Sequence, residues 1–294
     1  MKKNKLVQIV SLAIVAGVMA CVLAACGGSG SGASSTDSSA DGSAESGAAA
    51  TGVSDDGVIT VAASPTPHAE ILNDAVKPLL ENEGYTLEVK EYTDYVLPNT
   101  ATEEGEVDAN YFQHVPYLDD FNKEQGTHLV SVAGVHIEPM RIYAGKSSSL
   151  DNLSDGASVA VPNDATNEAR ALLLLQSAGL IKLSDPEDLA ATPKDIVDNP
   201  KNLTFSEVEA ANVPNVRADV DIAVINTNYA LEANIPESDI LYTEAGDSPY
   251  VNVLVVREGN ENDPGIQALV KAITSSAVAA YIDASYDGAV TPVN

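Results

Sequence analysis

Apolar and polar positions change period several times along this chain. Val7 to Leu23 is a mostly apolar, uncharged run that follows Lys2, Lys3 and Lys5. Its length is that of a minimal membrane span, and its layout is that of a secretory signal. Gly27 to about Gly57 is almost wholly Gly, Ser, Ala, Thr and Asp, a composition that cannot bury a core. A periodic body begins at Val58. Val58 to Ala63 reads as a strand that ends in the loop Ser64-Pro65-Thr66-Pro67. His68 to Asn82 has helical spacing, with Ile71, Leu72, Val76, Leu79 and Leu80 recurring every three or four residues. Pro78 inside that pattern predicts a kink or an early end. Leu87 to Tyr92 alternates like a second strand, and strand, helix, strand at this spacing predicts a parallel α/β sheet. Further strands are expected at Arg141–Ala144, Ser158–Val161, Asp221–Ile225 and Tyr250–Val256. A helix is expected over Asn167–Ala178, with Gly179 in the stop position, and a closing helix over Ile266–Ile282. No internal repeat is visible, and two α/β lobes suit the length.

Cysteine use sharpens the first segment. The chain has two cysteines, Cys21 inside the apolar run and Cys26 at its end. Leu23-Ala24-Ala25-Cys26 resembles a bacterial lipobox, whose cysteine receives lipid and becomes the first mature residue. An uncleaved anchor and ordinary secretion are the alternatives. All three place the body outside the cytoplasmic membrane, and residues 26–57 become a flexible tether with a reach of roughly 30 Å. A body without thiols forms no disulfide, zinc–thiolate site or cysteine nucleophile. The formal charge is -28 over the whole chain. Removing three signal lysines leaves 12 basic against 43 acidic residues. Such a surface argues against nucleic acid and anionic lipid as partners.

Three constellations could carry chemistry. Tyr111, Phe112, His114 and Tyr117 crowd into seven residues of a chain with 14 Phe and Tyr residues and no Trp. They form either a helix start whose rings fill the core or a pocket wall suited to an apolar or thioether group. In Pro162-Asn163-Asp164-Ala165-Thr166-Asn167-Glu168-Ala169-Arg170, Thr166 is the expected N-cap. That puts Arg170 in the first turn, where the helix dipole disfavours a cation, so Arg170 is a candidate for a ligand carboxylate. A surface pair with Glu168 or another acid is the alternative. Ile225-Asn226-Thr227-Asn228-Tyr229 ends an apolar strand, where ligands of open α/β sheets bind; Asn228 offers both a donor and an acceptor, or serves as a helix cap. Enzyme motifs are missing: there is no Gly-x-Ser-x-Gly elbow, His-Glu-x-x-His pair or phosphate loop. The four histidines (His68, His114, His128 and His136) lack compact metal spacing, and Glu138 adds little to that. No metal or cofactor is expected.

These segments resemble the methionine-binding lipoprotein family, the NlpA-like substrate-binding proteins of ABC importers. The likeness runs from Val58 to the C-terminus. It rests on Pro67-His68-Ala69-Glu70-Ile71-Leu72, Asp94-Tyr95-Val96-Leu97-Pro98-Asn99, Asp108 to Leu118, Pro162-Asn163-Asp164, Arg170 to Leu175, Ile225 to Ala230 and Asp247 to Asn252. The resemblance implies a two-lobed, type II periplasmic-binding-protein fold with the ligand enclosed between lobes. With the signal over 1–25 already read from the N-terminal run, the expected bounds are lobe 1 over 58–142, lobe 2 over 143–247 and a return to lobe 1 over 248–294. Tyr95, Phe112, His114 and Tyr117 would line the side-chain pocket; Asn167, Arg170 and Asn228 would hold the main-chain carboxylate and amino groups. The implied function is non-enzymatic: a monomeric, lipid-anchored receptor that delivers methionine or a close analogue to an ABC permease and its ATPase. A lipid-anchored hydrolase and a sensory binding module are the alternatives. Two departures from the family stand out. Arg141 replaces a common glycine near the lobe crossing, and Glu168-Ala169 replaces a common glycine pair. Both are expected to reshape the pocket or hinge.

Overall fold

The computed structural model describes residues 57–246 and 249–293. The signal, Cys26, most of the tether, and Asp247 and Ser248 of one quoted motif lie outside them. Strand β1 (Val58–Ala63) buries Ile59, Val61, Ala62 and Ala63 completely, as a strand covered on both faces must. The chain then kinks at the extended Thr66 and winds helically through Leu72–Val76 into α1 (Lys77–Asn82). Pro78 does not stop the helix: the wide turn of Leu72–Val76 passes into the regular α1 at Lys77, one residue before it, and α1 runs on to Asn82.

The remaining elements follow in order: β2 (Thr86–Glu91), α2 (Leu97–Glu103), β3 (Ala109–His114), α3 (Val115–Gln125), β4 (Leu129–Ile137), β5 (Arg141–Ala144), β6 (Ser158–Pro162) and α4 (Ala165–Ser177). Then come the ribbon β7 (Lys182–Leu183) and β8 (Ile196–Asp198), β9 (Thr204–Val208), α5 (Val213–Val216), β10 (Ile222–Ile225), α6 (Thr227–Glu232) and β11 (Ile240–Thr243). The chain closes with β12 (Val251–Arg257), α7 (Pro264–Ile273), α8 (Ser276–Tyr286) and β13 (Thr291–Pro292).

Two sheets result. The first has the order β13-β4-β12-β3-β1-β2, with β1 parallel to β2 and β3 and with β12 inserted antiparallel. The second has the order β11-β5-β10-β6-β9, with β6 parallel to β9 and β10. Helices 65–82, α7 and α8 cover one face of the first sheet through Ile71, Leu72, Leu269 and Ile282. In the second, the α4 leucines Leu172 and Leu175 are fully buried against Val159, Val161 and Val224. Each contributes about 1.5–3 kcal/mol.

Two expectations change. Ala109–His114 is a strand, not a helix start; its helix begins only at Val115, behind His114 as N-cap. The closing helix is two helices bent by 48°, because Ser275 restarts the turn by accepting from the Val278 amide. The chain crosses between sheets after Ile137 and returns after Thr243. β5 opens the second sheet at Arg141, where the boundary expected from sequence fell at 142. The two crossings are hydrogen-bonded side by side, the Glu244 amide donating to the Met140 carbonyl at 2.9 Å.

Candidate functional site

Parallel strands leave their C-terminal ends as the natural binding edge of an open sheet, and here both sheets use it. The residues ending β3 (Phe112, Gln113, His114), those opening α4 after β6 (Asn167, Arg170) and those following β10 (Asn226, Thr227, Asn228) line one cavity. Tyr95, Tyr117, Glu138 and Asn252 complete it. All seven residues singled out from the sequence therefore meet: Tyr95, Phe112, His114, Tyr117, Asn167, Arg170 and Asn228.

The first lobe contributes rings. Tyr95 lies 5.8 Å from both Phe112 and Tyr117, centroid to centroid, and the Tyr117 hydroxyl donates to the Tyr95 carbonyl at 3.0 Å. Beneath them Asn99, Gln113 and Asn110 exchange amide hydrogen bonds of 2.6–3.0 Å, which tie α2 to β3. His114 accepts from the Tyr117 amide through Nδ1. This leaves Nε2 to donate to Asn167 Oδ1 at 3.1 Å. Burial, and then the Arg170 charge, push its pKa down to about 3, so His114 is a neutral donor.

The second lobe contributes amides and a cation. Asp164, not Thr166, caps α4 by accepting from the Asn167 amide. Arg170 consequently sits in the second turn, so the dipole argument that singled it out does not hold. What places Arg170 is a long-range pair. Nε donates to Glu244 Oε1 at 2.9 Å and Nη2 to Glu244 Oε2 at 2.6 Å. Nη2 also donates to the Glu138 carbonyl at 2.7 Å, and the guanidinium lies 4.2 Å over the Tyr250 ring. Asn167 is likewise engaged, by His114, by Asn226 Nδ2 at 2.8 Å and by Asp164. Asn228 Oδ1 accepts from the Tyr95 hydroxyl at 2.7 Å. Asn228 Nδ2 and Asn226 Oδ1 are buried without a partner, one donor and one acceptor on the cavity wall. Asn226 was quoted in its motif but not singled out.

Below the cavity lies a group that sequence spacing hid. His136 Nε2 is 2.8 Å and His68 Nε2 3.3 Å from Glu138 Oε1, all three buried. Asn252 Oδ1 meets His68 Nε2 at 3.1 Å, and the Tyr111 hydroxyl bonds His136 Nδ1. Their ligand-type atoms lie within 4.8 Å of one another, but mutual hydrogen bonds occupy them. Burial lowers the pKa of His68 to about 4, against the pull of Glu138. Burial alone would raise Glu138; the His136 hydrogen bond and the charges of His68, His136 and Arg170 outweigh it and hold the carboxyl below its usual value. Arg141, Glu168 and Ala169, the departures noted above, are not among the cavity-lining residues.

The family model described as NlpA lipoprotein matches residues 59–294. The methionine-binding lipoprotein MetQ of Bacillus subtilis is 43% identical over 242 residues, covering 80% of this chain and 88% of that one. A solved lipoprotein structure from Ruminococcus gnavus is 53% identical with a TM-score of 0.79, covering 81% of this chain and all of the other. The structure of a Burkholderia cenocepacia nutrient-binding protein bound to methionine is 43% identical, with a TM-score of 0.77 over 80% of this chain and all of that one.

Proposed function

From the premise that this chain belongs to the NlpA lipoprotein family, we propose that it is a lipid-anchored, extracytoplasmic substrate-binding protein of an ABC importer. Its ligand is methionine, L or D, or a close analogue, handed to a membrane permease driven by a separate ATPase. One observation carries the reading. The rings of Tyr95, Phe112 and Tyr117 line the same cavity as Asn226 and Asn228, whose buried Oδ1 and Nδ2 have no partner among the described residues. Rings suit a thioether, and the amide atoms suit an amino acid's main-chain groups. Residues 1–25 act as the signal, Cys26 takes lipid, and 26–57 form the leash. The chain works as a monomer, with lobe 1 built on β1–β4, β12 and β13 and lobe 2 on β5, β6 and β9–β11.

Closure is a population shift. Tyr95–Asn228, His114–Asn167 and the Tyr229 hydroxyl on the Thr93 carbonyl at 3.2 Å bridge the lobes, so a ligand that contacts both sides favours the closed form. We read the chain as a receptor without turnover, because His114 spends both ring nitrogens on an amide N–H and an amide oxygen rather than on a nucleophile. Calorimetry on protein refolded free of carried-over ligand tests this. Heat is expected with methionine; none with any L- or D-amino acid or short methionyl peptide would overturn it.

A further inference from the structure

Arg170 carries five N–H donors, and three are already committed. The Nε donor and one Nη2 donor hold the two oxygens of Glu244, and the second Nη2 donor holds the Glu138 carbonyl. None of its hydrogen bonds among the described residues uses Nη1, so the Nη1 edge is what Arg170 can offer to the cavity it lines. Glu244 is held in turn: its Oε2 accepts from the Met140 amide at 3.1 Å, and its own amide donates to the Met140 carbonyl. Glu138 and Met140 flank Pro139 on the outward crossing, and Glu244 opens the return crossing. The guanidinium therefore knots both interlobe connections to α4 of the second lobe.

The geometry points to Glu244 as a positioning residue. It fixes the rotation of the Arg170 guanidinium so that Nη1 meets the ligand's carboxylate, and it makes that geometry depend on how the crossings are folded. Glu244 is not among the cavity-lining residues, so it reaches the ligand through Arg170 and not by touching it. A bidentate carboxylate is the partner that locks a planar fork most firmly, and the pair is nearly dry, with side chains 3% and 14% exposed.

This inference rests on the amino-acid-binding reading, and the test separates the two. L-methionine and its carboxamide, which lacks the carboxylate, are titrated calorimetrically into wild type, Glu244→Gln and Glu244→Asp. Glutamine cannot accept at both oxygens; aspartate keeps the charge but is one methylene too short. Wild type is expected to prefer the acid. Both variants should lose roughly ten- to hundredfold in affinity for the acid and keep that for the amide within about twofold, so the acid-to-amide ratio collapses. Equal losses on both ligands would mean a merely structural role and overturn the inference, as would tighter acid binding by Glu244→Gln, which would make Glu244 a competitor. Failure of wild type to bind L- or D-methionine, any other amino acid or a short methionyl peptide overturns both readings together. Should Glu244→Gln not fold, the ratio for Glu244→Asp decides.

Discussion

Two buried carboxylates, Glu138 and Glu168, behave in opposite ways. Glu138 is 5% exposed and Glu168 7%, so desolvation acts on both. Glu138 receives His136 and His68 and feels Arg170, and its pKa falls below the ordinary value. Glu168 has a buried oxygen with no partner and faces Glu207 and Asp164, so burial and like charge push it up to about 7. Burial sets the stakes, and the neighbours decide the sign.

The largest effect should come from Glu138→Gln. It removes the charge that both imidazoles point at and leaves His68 and His136 imperfectly paired inside the protein. Losing hydrogen bonds to a buried charged group costs about 1.5–3 kcal/mol, read as a fall in the urea midpoint at pH 7. A loss below about 1 kcal/mol would show that burial, not pairing, governs this site. The pH dependence sharpens the point. A depressed carboxyl stabilises the fold above its unfolded pKa, and that contribution fades as pH falls through the folded value. His68, lowered to about 4, and His114, lowered to about 3, act in the same direction: the unfolded chain takes up their protons first, so stability drops as pH falls from about 6.5. Wild type should therefore weaken steadily in acid, and Glu138→Gln should weaken less steeply.

Glu168 should tilt the other limb. Its raised pKa means the fold holds the proton more tightly than the unfolded chain does, so stability is lost as pH rises from about 4.3 through 7. Glu168→Gln should stabilise by about 2 kcal/mol at pH 8 and by almost nothing at pH 4. An equal effect at both pH values would mean packing rather than charge.

Neither carboxylate's role was legible beforehand, and the reason is physical. With 43 acidic residues, type and spacing single out none. The partners that decide are far away in sequence: Glu244 lies 74 residues from Arg170 and Asn252 184 from His68. β-branched runs did announce β1, β6, β10 and β12. β4 was hidden because Ser131 and Gly134 break its apolar run and its burial does not alternate cleanly. β3 was hidden because its rings read as a pocket wall, which they also are. Local motifs thus carried the cavity's lining, and long-range pairing carried its electrostatics. The capping error at Thr166 shows the limit of local rules: Asp164, two residues earlier, accepts the Asn167 amide with a better-placed oxygen, and the arginine picked out by a misplaced turn is held by a different force.

The smallest test concerns a neutral bridge, as a control on the charged ones. The Tyr95 hydroxyl donates to Asn228 Oδ1 across the lobes, and burial keeps the phenol's pKa well above its usual value. Tyr95→Phe keeps the ring against Phe112 and Tyr117 and removes one neutral hydrogen bond, which should cost about 1 kcal/mol, or roughly fivefold in ligand affinity. No charge changes, so the loss should be the same at pH 5 and pH 8 and indifferent to salt. A pH-dependent loss would mean that Tyr95 is coupled to the titrating groups and that the cleft cannot be divided into a charged base and a neutral clasp. A constant loss would leave that division standing, with closure held by neutral contacts and acid sensitivity confined to the buried histidines and Glu138.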